Sequence, residues 1–219
     1  CSLSNGDEQK IVLKNREIAL KELKLHKKKL ILINQTHSSK VIRINKNNLN
    51  KKTNADGMIT SLDNIALGVL TADCAPIFIY DNKKKFICCL HSGWKGTLNN
   101  ISRNAIRLFN KYNIKSANLT AIIGPCLGAK NYEVDKKFEG KFIKKNIDYG
   151  IFFKNKNKTK SFFNLRGLIK YQLQELGLKK IYCVNLDTYN NESLFFSHRR
   201  STHKGIKSSG RLINIISLT

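Results

Sequence analysis

The chain has 219 residues, 41% hydrophobic and 25% charged, with 40 Lys and Arg against 15 Asp and Glu and a formal net charge of +25. That length suits one domain with a real core, and no run of about 18 apolar residues exists to cross a membrane, so no membrane partner is expected. Only 8 of the basic residues are Arg, and the lysines are scattered among Asn and Ile rather than clustered with aromatics, which argues against a specific nucleic-acid partner.

Residues 7–25 read as a helix, with Ser4, Asn5 and Asp7 as caps and Ile11, Ile18 and Leu25 on one face. Residues 30–34 and 41–44 read as strands, separated by a polar break that carries His37. Residues 55–59 and 65–70 are further strands, in which Gly57 and Gly68 predict bulges or close backbone packing. Residues 77–80 and 86–90 are apolar strands joined by turn chemistry from Asp81 to Lys85, hence a hairpin. A hairpin brings Cys74, ahead of its first arm, and His91, after its second, to the same sheet edge. Gly93 and Gly96 allow a tight turn around Trp94, and residues 97–112 then form an amphipathic helix.

Further on, residues 119–123 form a strand that ends in the turn Gly124-Pro125-Cys126-Leu127-Gly128. Residues 131–135 open a helical stretch, residues 140–161 are irregular, and the lysine run at 154–160 is a solvated loop. Residues 164–176 form a helix, and 180–184 and 193–196 form strands. A polar loop covers 197–211, and a last strand runs from 212 to 218. The six cysteines lie mostly in apolar strands, including the adjacent pair Cys88 and Cys89, with no framework spacing. Neighbours on a strand face opposite ways, so a reduced, cytoplasmic protein is expected, without disulfides. The chain opens at Cys1 with neither Met nor a hydrophobic signal region, which predicts that part of the native start lies outside it.

His37, Cys74 and His91 all fall at strand ends. Two imidazoles and a thiolate form a known catalytic zinc set, in which three protein ligands leave a fourth position open. Their spacing fits no finger or ribbon pattern, so a site of this kind must be assembled by the fold. Chance placement of one Cys and two His at strand ends explains the spacing equally well.

The residues Gln35-x-His37, Ala55-Asp56-Gly57, Thr71-Ala72-Asp73-Cys74-x-Pro76 and His91-x-Gly93-Trp94-x-Gly96 occur in one order. They are followed by Gly124-Pro125-Cys126-x-Gly128, Tyr132-Glu133-Val134 and Phe196-Ser197-x-Arg199-Arg200 with Gly210-Arg211. Over essentially the whole chain this pattern resembles the YfiH/laccase-domain family of purine nucleoside phosphorylases, formerly labelled multicopper polyphenol oxidases. Three positions depart from the family. Ser38 replaces a usual Gly, Lys95 a usual Arg, and Asp187 stands where a cysteine is common, without an assignable role. The family's N-terminal strand region is missing.

The resemblance implies an α+β (mixed α/β) fold, a single domain over residues 1–219 in four layers, α/β/β/α, with mixed sheets. It implies zinc (Zn2+) bound by His37, Cys74 and His91, and phosphorolysis of adenosine, inosine, guanosine and methylthioadenosine, with adenosine deamination in the same cleft. Cys74, His37 and Asp73 are then the catalytic candidates. Asp73 would either protonate or orient the base or merely hold a backbone turn. Arg43, Arg199, Arg200 and Arg211, with Lys40, are candidates for binding phosphate. A monomer or homodimer is expected, with purine nucleosides and phosphate as its partners. A rival reading makes Cys74 the nucleophile of a thiol hydrolase or amidase, activated by His91 or His37, acting on a cell-wall precursor. The polyphenol oxidase label needs a trinuclear copper centre and a blue-copper site, which five histidines cannot supply. A non-enzymatic polyanion binder fits the charge but not the ordered motifs.

Overall fold

The computed structural model describes residues 1–3, 6–83 and 85–218. The expected caps Ser4 and Asn5, and Lys84 of the hairpin turn, lie outside the described residues. Helix α1 (Gln9–Glu22) turns Val12, Arg16, Ala19 and Leu20 toward the protein, while Ile11 and Ile18 are exposed. The apolar face expected from Ile11 and Ile18 is therefore displaced: the i, i+4, i+7, i+8 row through Val12 is the one that faces inward.

Strands β1 (Lys29–Leu32), β2 (Val41–Arg43), β3 (Gly57–Thr60) and β4 (Ile65–Thr71) precede the hairpin of β5 (Ala75–Asp81) and β6 (Ile87–Ser92). Two helices follow, α2 (Trp94–Leu98) and α3 (Ile101–Asn110), where one was expected. The break sits at Asn100, which takes a left-handed conformation (φ 51°) and accepts the Arg103 N–H on its side chain at 3.0 Å. Asn tolerates that conformation and caps well, so it ends one helix and starts the next.

Strand β7 (Leu119–Ile123) leads to β8 (Glu133–Asp135) and helix α4 (Lys136–Lys145). The helical stretch expected at 131–135 is thus a strand, and its Asp135 caps the helix that follows, accepting from the Phe138 N–H at 2.6 Å. The region expected to be irregular contains the end of α4, a 3-10 turn, β9 (Phe153–Asn155) and the start of β10 (Lys160–Phe163). Its lysine run spans the connection between those two strands. Phe142, Phe153 and Phe163 pack there against one another, with Phe153 stacked on Phe163 at 4.7 Å. Helix α5 (Leu165–Glu175) and β11 (Lys180–Cys183) agree with expectation, but residues 193–196 are a turn running into irregular chain, not a strand. The polar loop after them begins as helix α6 (His198–His203), capped by the Ser197 hydroxyl, before β12 (Leu212–Ser217) closes the chain.

The strands form a six-stranded mixed sheet in the order β11-β7-β5-β6-β3-β2, a three-stranded mixed sheet β1-β4-β12, and a small antiparallel sheet β8-β10-β9. Both faces of the large sheet are covered. One face packs Ile77, Ile79, Cys88 and Leu90 against α3 and α5; the other packs Met58, Ile87 and Cys89 against Ile65, Leu67 and Val69 of the three-stranded sheet. This explains why β5 and β6 read as continuous apolar runs rather than alternating ones, and why Cys88 and Cys89 sit in different cores. The fold is mixed α+β with mixed sheets, as expected. Gly68 is a close approach rather than a bulge: a Cβ there would lie 2.8 Å from Leu32 Cδ2. No helix among the described residues is long and apolar enough to cross a membrane.

Candidate metal centre and cleft

The hairpin pairs Pro76 with His91 and Ala75 with Ser92, so Cys74, one residue before β5, sits beside the end of β6. The third residue comes from the loop between β1 and β2, and a carboxylate holds that loop. Asp56 is fully buried just before β3 and accepts the backbone N–H groups of Thr36 (3.2 Å), His37 (3.0 Å) and Ser38 (2.6 Å), with the Ser38 hydroxyl at 2.7 Å. The wrapped loop leaves His37 in the left-handed region (φ 57°), unusual for a residue with a Cβ. Asp56 Oδ1 also lies 2.8 Å from His91 Nδ1. The carboxylate makes that nitrogen the donor, so Nε2 is the one left to bind a metal, on loss of the proton it carries while His91 is charged.

His37, Cys74 and His91 offer ligand atoms that all lie within 4.8 Å of one another, and the two imidazole rings meet edge-on at the same centroid distance of 4.8 Å. The donor set fits one metal ion. The three come from separate parts of the chain, and the glycine at 93 makes room for them: a Cβ there would stand 2.8 Å from Cys74 Sγ and 3.2 Å from His37 Cδ2.

The electrostatics favour charge at the site. Burial pushes the Cys74 thiol up, but His91 and His37 outweigh it and bring the thiol down to about 6. Burial likewise lowers His91, yet the Cys74 and Asp56 charges raise it to about 9. Asp56 is driven well below the carboxylate range: burial would raise it, and the bonds from His91 and Ser38 prevail. Burial raises the thiols of Cys88, Cys89 and Cys126. All six cysteines are free.

Asp73 is held in a strained left-handed conformation (φ 83°) beside Cys74. One carboxylate oxygen accepts the Thr188 hydroxyl at 2.6 Å and the other the Arg199 N–H at 2.6 Å, while its carbonyl accepts Leu127 N–H at 2.9 Å. These bonds anchor the turn that presents Cys74, and of the two roles open for Asp73 they speak for holding the turn.

The site opens on a cleft of about 1020 Å³. Of the expected phosphate residues, Arg199 and Arg211 line it; Arg43 and Arg200 do not. Arg43 lies on β2 with its guanidinium over the Tyr112 ring at 4.6 Å. Arg200 donates to the carbonyls of Thr188 (2.7 Å), Tyr189 (2.8 Å) and Phe195 and sits 3.6 Å from Glu192, so its charge holds the 188–195 loop. An Arg beside a Ser-His turn looks alike in sequence whether it faces carbonyls or solvent. Lys40 does not line the cleft either; its carbonyl accepts from Asp56 and Gly57. The structure adds Arg16, Trp94, Tyr132 and His198 to the cleft wall. Asp187, in the position usual for a cysteine, accepts Asn131 Nδ2 at 2.7 Å and Tyr189 N–H at 2.9 Å, a structural use.

The whole chain, residues 1–219, matches the family model described as multi-copper polyphenol oxidoreductase laccase. It is similar to a purine nucleoside phosphorylase of Rickettsia prowazekii, 34% identical over 188 residues that cover 85% of this chain and 77% of that one. Among solved structures it resembles Bacillus licheniformis YfiH, titled a hypothetical protein, with a TM-score of 0.87 at 26% identity, covering 100% of this chain and 85% of the other. A Neisseria meningitidis protein shares the fold with a TM-score of 0.89 at 24% identity, covering 99% and 85% of the two chains.

Proposed function

Because the chain belongs to the multi-copper polyphenol oxidoreductase laccase family, the YfiH-type laccase domain, we propose that it is a zinc-containing purine nucleoside phosphorylase. Adenosine, inosine, guanosine and methylthioadenosine are its substrates, and adenosine deamination is a side activity of the same cleft. One observation carries the reading: a His-Cys-His group in a cleft whose wall bears three arginines, Arg16, Arg199 and Arg211. The name purine nucleoside phosphorylase on the Rickettsia relative supports it.

His37, Cys74 and His91 would hold the metal, which when bound supplies a Lewis acid at an open position in the cleft. Zinc suits two imidazoles and a thiolate, whereas multicopper oxidation needs far more ligands than two clustered histidines. Asp56 fixes the His91 tautomer and the His37 loop. Cys74, His37 and Asp73 act as the catalytic set, Asp73 through the turn it anchors. Arg199 spends one terminal nitrogen on the carbonyls of Asn131 and Glu133, which leaves the rest of its fork for phosphate oxygens. Arg211 donates from one terminal nitrogen to the carbonyls of Ser209 and Gly210, and its second is open to the same use. Free cysteines support a reduced, cytoplasmic location. The protein acts as a single domain, as a monomer or homodimer.

The test is to incubate metal-loaded protein with each nucleoside, with and without phosphate, and to identify the products. Free base together with sugar 1-phosphate, formed only when phosphate is present, is expected. Free base without phosphate dependence, or no base at all, rejects the phosphorylase. A second reading has its own observation. Asp56, His91 and Cys74 stand in the order of a thiol hydrolase's orienting acid, base and nucleophile. A thiolate that holds a metal is not free to attack, so full metal occupancy together with phosphate-dependent turnover decides against that hydrolase.

A further inference from the structure

We propose that the Tyr132 hydroxyl hydrogen-bonds the purine as it leaves, and that Arg199 is the positioning residue that aims it. This rests on the phosphorylase reading above.

Tyr132 sits just before β8, half-buried, with its ring edge-on to Phe163 at 5.2 Å and the Arg199 guanidinium 5.4 Å over its face. Its carbonyl accepts the Phe163 N–H at 2.9 Å. Arg199 donates from one nitrogen to the carbonyls on either side, Asn131 at 3.2 Å and Glu133 at 3.0 Å. Ring and backbone are thus both fixed, which is how a recognition group is held ready for a ligand.

The hydroxyl of this half-buried residue makes no hydrogen bond among the described residues, which leaves its proton available to a ligand. It faces the cleft, where Tyr132 shares the wall with Cys74 and His91, and the charges of Cys74 and Asp73 reach it. Burial, the largest influence, followed by the Cys74 charge, pushes its pKa well above the ordinary phenol value, so the group stays protonated and donates.

The reaction needs such a donor. A phosphate oxygen forms a bond to C1′ while the C1′–N9 bond breaks, and N9 departs with the bonding pair. The charge spreads over the purine, and N7 is an accessible acceptor for part of it. A hydrogen bond to N7 stabilises the leaving group without giving up its proton; the proton gained by the free base comes from hydrogen phosphate through solvent. Arg199 and Arg211 carry charges suited to phosphate, and His198 is exposed. Of the neutral donors on the wall, Trp94 and Tyr132 are both half-buried, and Tyr132 is the one that Arg199 holds, through its ring face and the carbonyls on either side.

Guanosine and N7-methylguanosine provide the test. The methylated base is cationic at the outset and leaves without a donor at N7. Tyr132→Phe keeps the ring packing and removes only the oxygen. Its kcat for guanosine phosphorolysis is expected to fall about 10- to 100-fold, with kcat for N7-methylguanosine within about twofold of wild type. Arg199→Ala should shift the ratio between the two substrates in the same direction. Equal losses on both substrates, or no loss on guanosine, overturn the assignment while leaving the phosphorylase intact. No base release by the wild-type protein from either nucleoside in phosphate removes the phosphorylase reading, and this assignment with it.

Discussion

Asp56 accepts from the backbone of Thr36, His37 and Ser38 and from the His91 ring, so one buried carboxylate sets the orientation of two of the three candidate ligands. Replacing it with the isosteric Asn leaves an amide that cannot satisfy all these donors. Asp56→Asn should weaken metal binding about 10- to 100-fold in a chelator competition. Cys74→Ala should abolish binding of the one equivalent that elemental analysis is expected to find in the wild type. Wild-type affinity in Asp56→Asn, or full metal in Cys74→Ala, would sink the centre as drawn. That His37, Cys74 and His91 come together was expected from the family motifs, since their strand-end placement alone was no better than chance. Asp56 was not, since a carboxylate's value here comes from being buried, and the available hint was its place between Ala55 and Gly57 in an apolar stretch. Arg43 and Arg200 misled for the opposite reason: their charges are spent on a Tyr112 ring and on loop carbonyls.

Among the elements, those with strong periodicity were read correctly, and the misreadings fell where local chemistry overrode it. The hairpin, β7, α5 and β12 each carry a long apolar pattern that packing simply confirms. Strand β8 is three residues long, too short to show a period, and its Asp135 reads equally well as part of a helix or as its cap. β9 and β10 hide in Lys and Asn, with alternate residues Ser161 and Phe163 buried. The split between α2 and α3 turns on Asn100, and it can be measured. Asn100→Ala loses the cap bond to Arg103 N–H and places a Cβ without a polar partner in the left-handed region. Each loss costs about 1 kcal/mol, and together they should lower the melting temperature by about 4–8 °C. A melting temperature unchanged within 1 °C or so would mean that α2 and α3 run on as one helix, as the periodicity alone suggests.

At the scale of the whole molecule, a net charge of +25 must be reconciled with a site that uses few of its cations. The lysines lie mostly exposed along helices, turns and the β9–β10 connection, far more numerous than the three arginines of the cleft. Such a surface attracts polyanions without selecting among them, with affinity that falls steeply as salt rises. Phosphate in the cleft poses a different problem, since a rigid fork binds it at two points whereas a mobile lysine offers one. Lys154→Gln combined with Lys158→Gln should therefore reduce heparin affinity and its salt dependence and leave phosphorolysis within about twofold of wild type. Lys156 is left in place because it pairs with Glu133, next to Tyr132. Arg199→Ala should instead lower phosphate-dependent turnover by about 10- to 100-fold, from charge-assisted bonds of about 1.5–3 kcal/mol. Adenosine deamination, the proposed side activity, consumes no phosphate and would serve as the internal control. If it falls as far as phosphorolysis in Arg199→Ala, the residue holds the fold through Asn131 and Glu133 and binds no phosphate. If the lysine pair matters as much as Arg199, the phosphate is recruited by the surface as a whole, and the cleft arginines have no special claim on it.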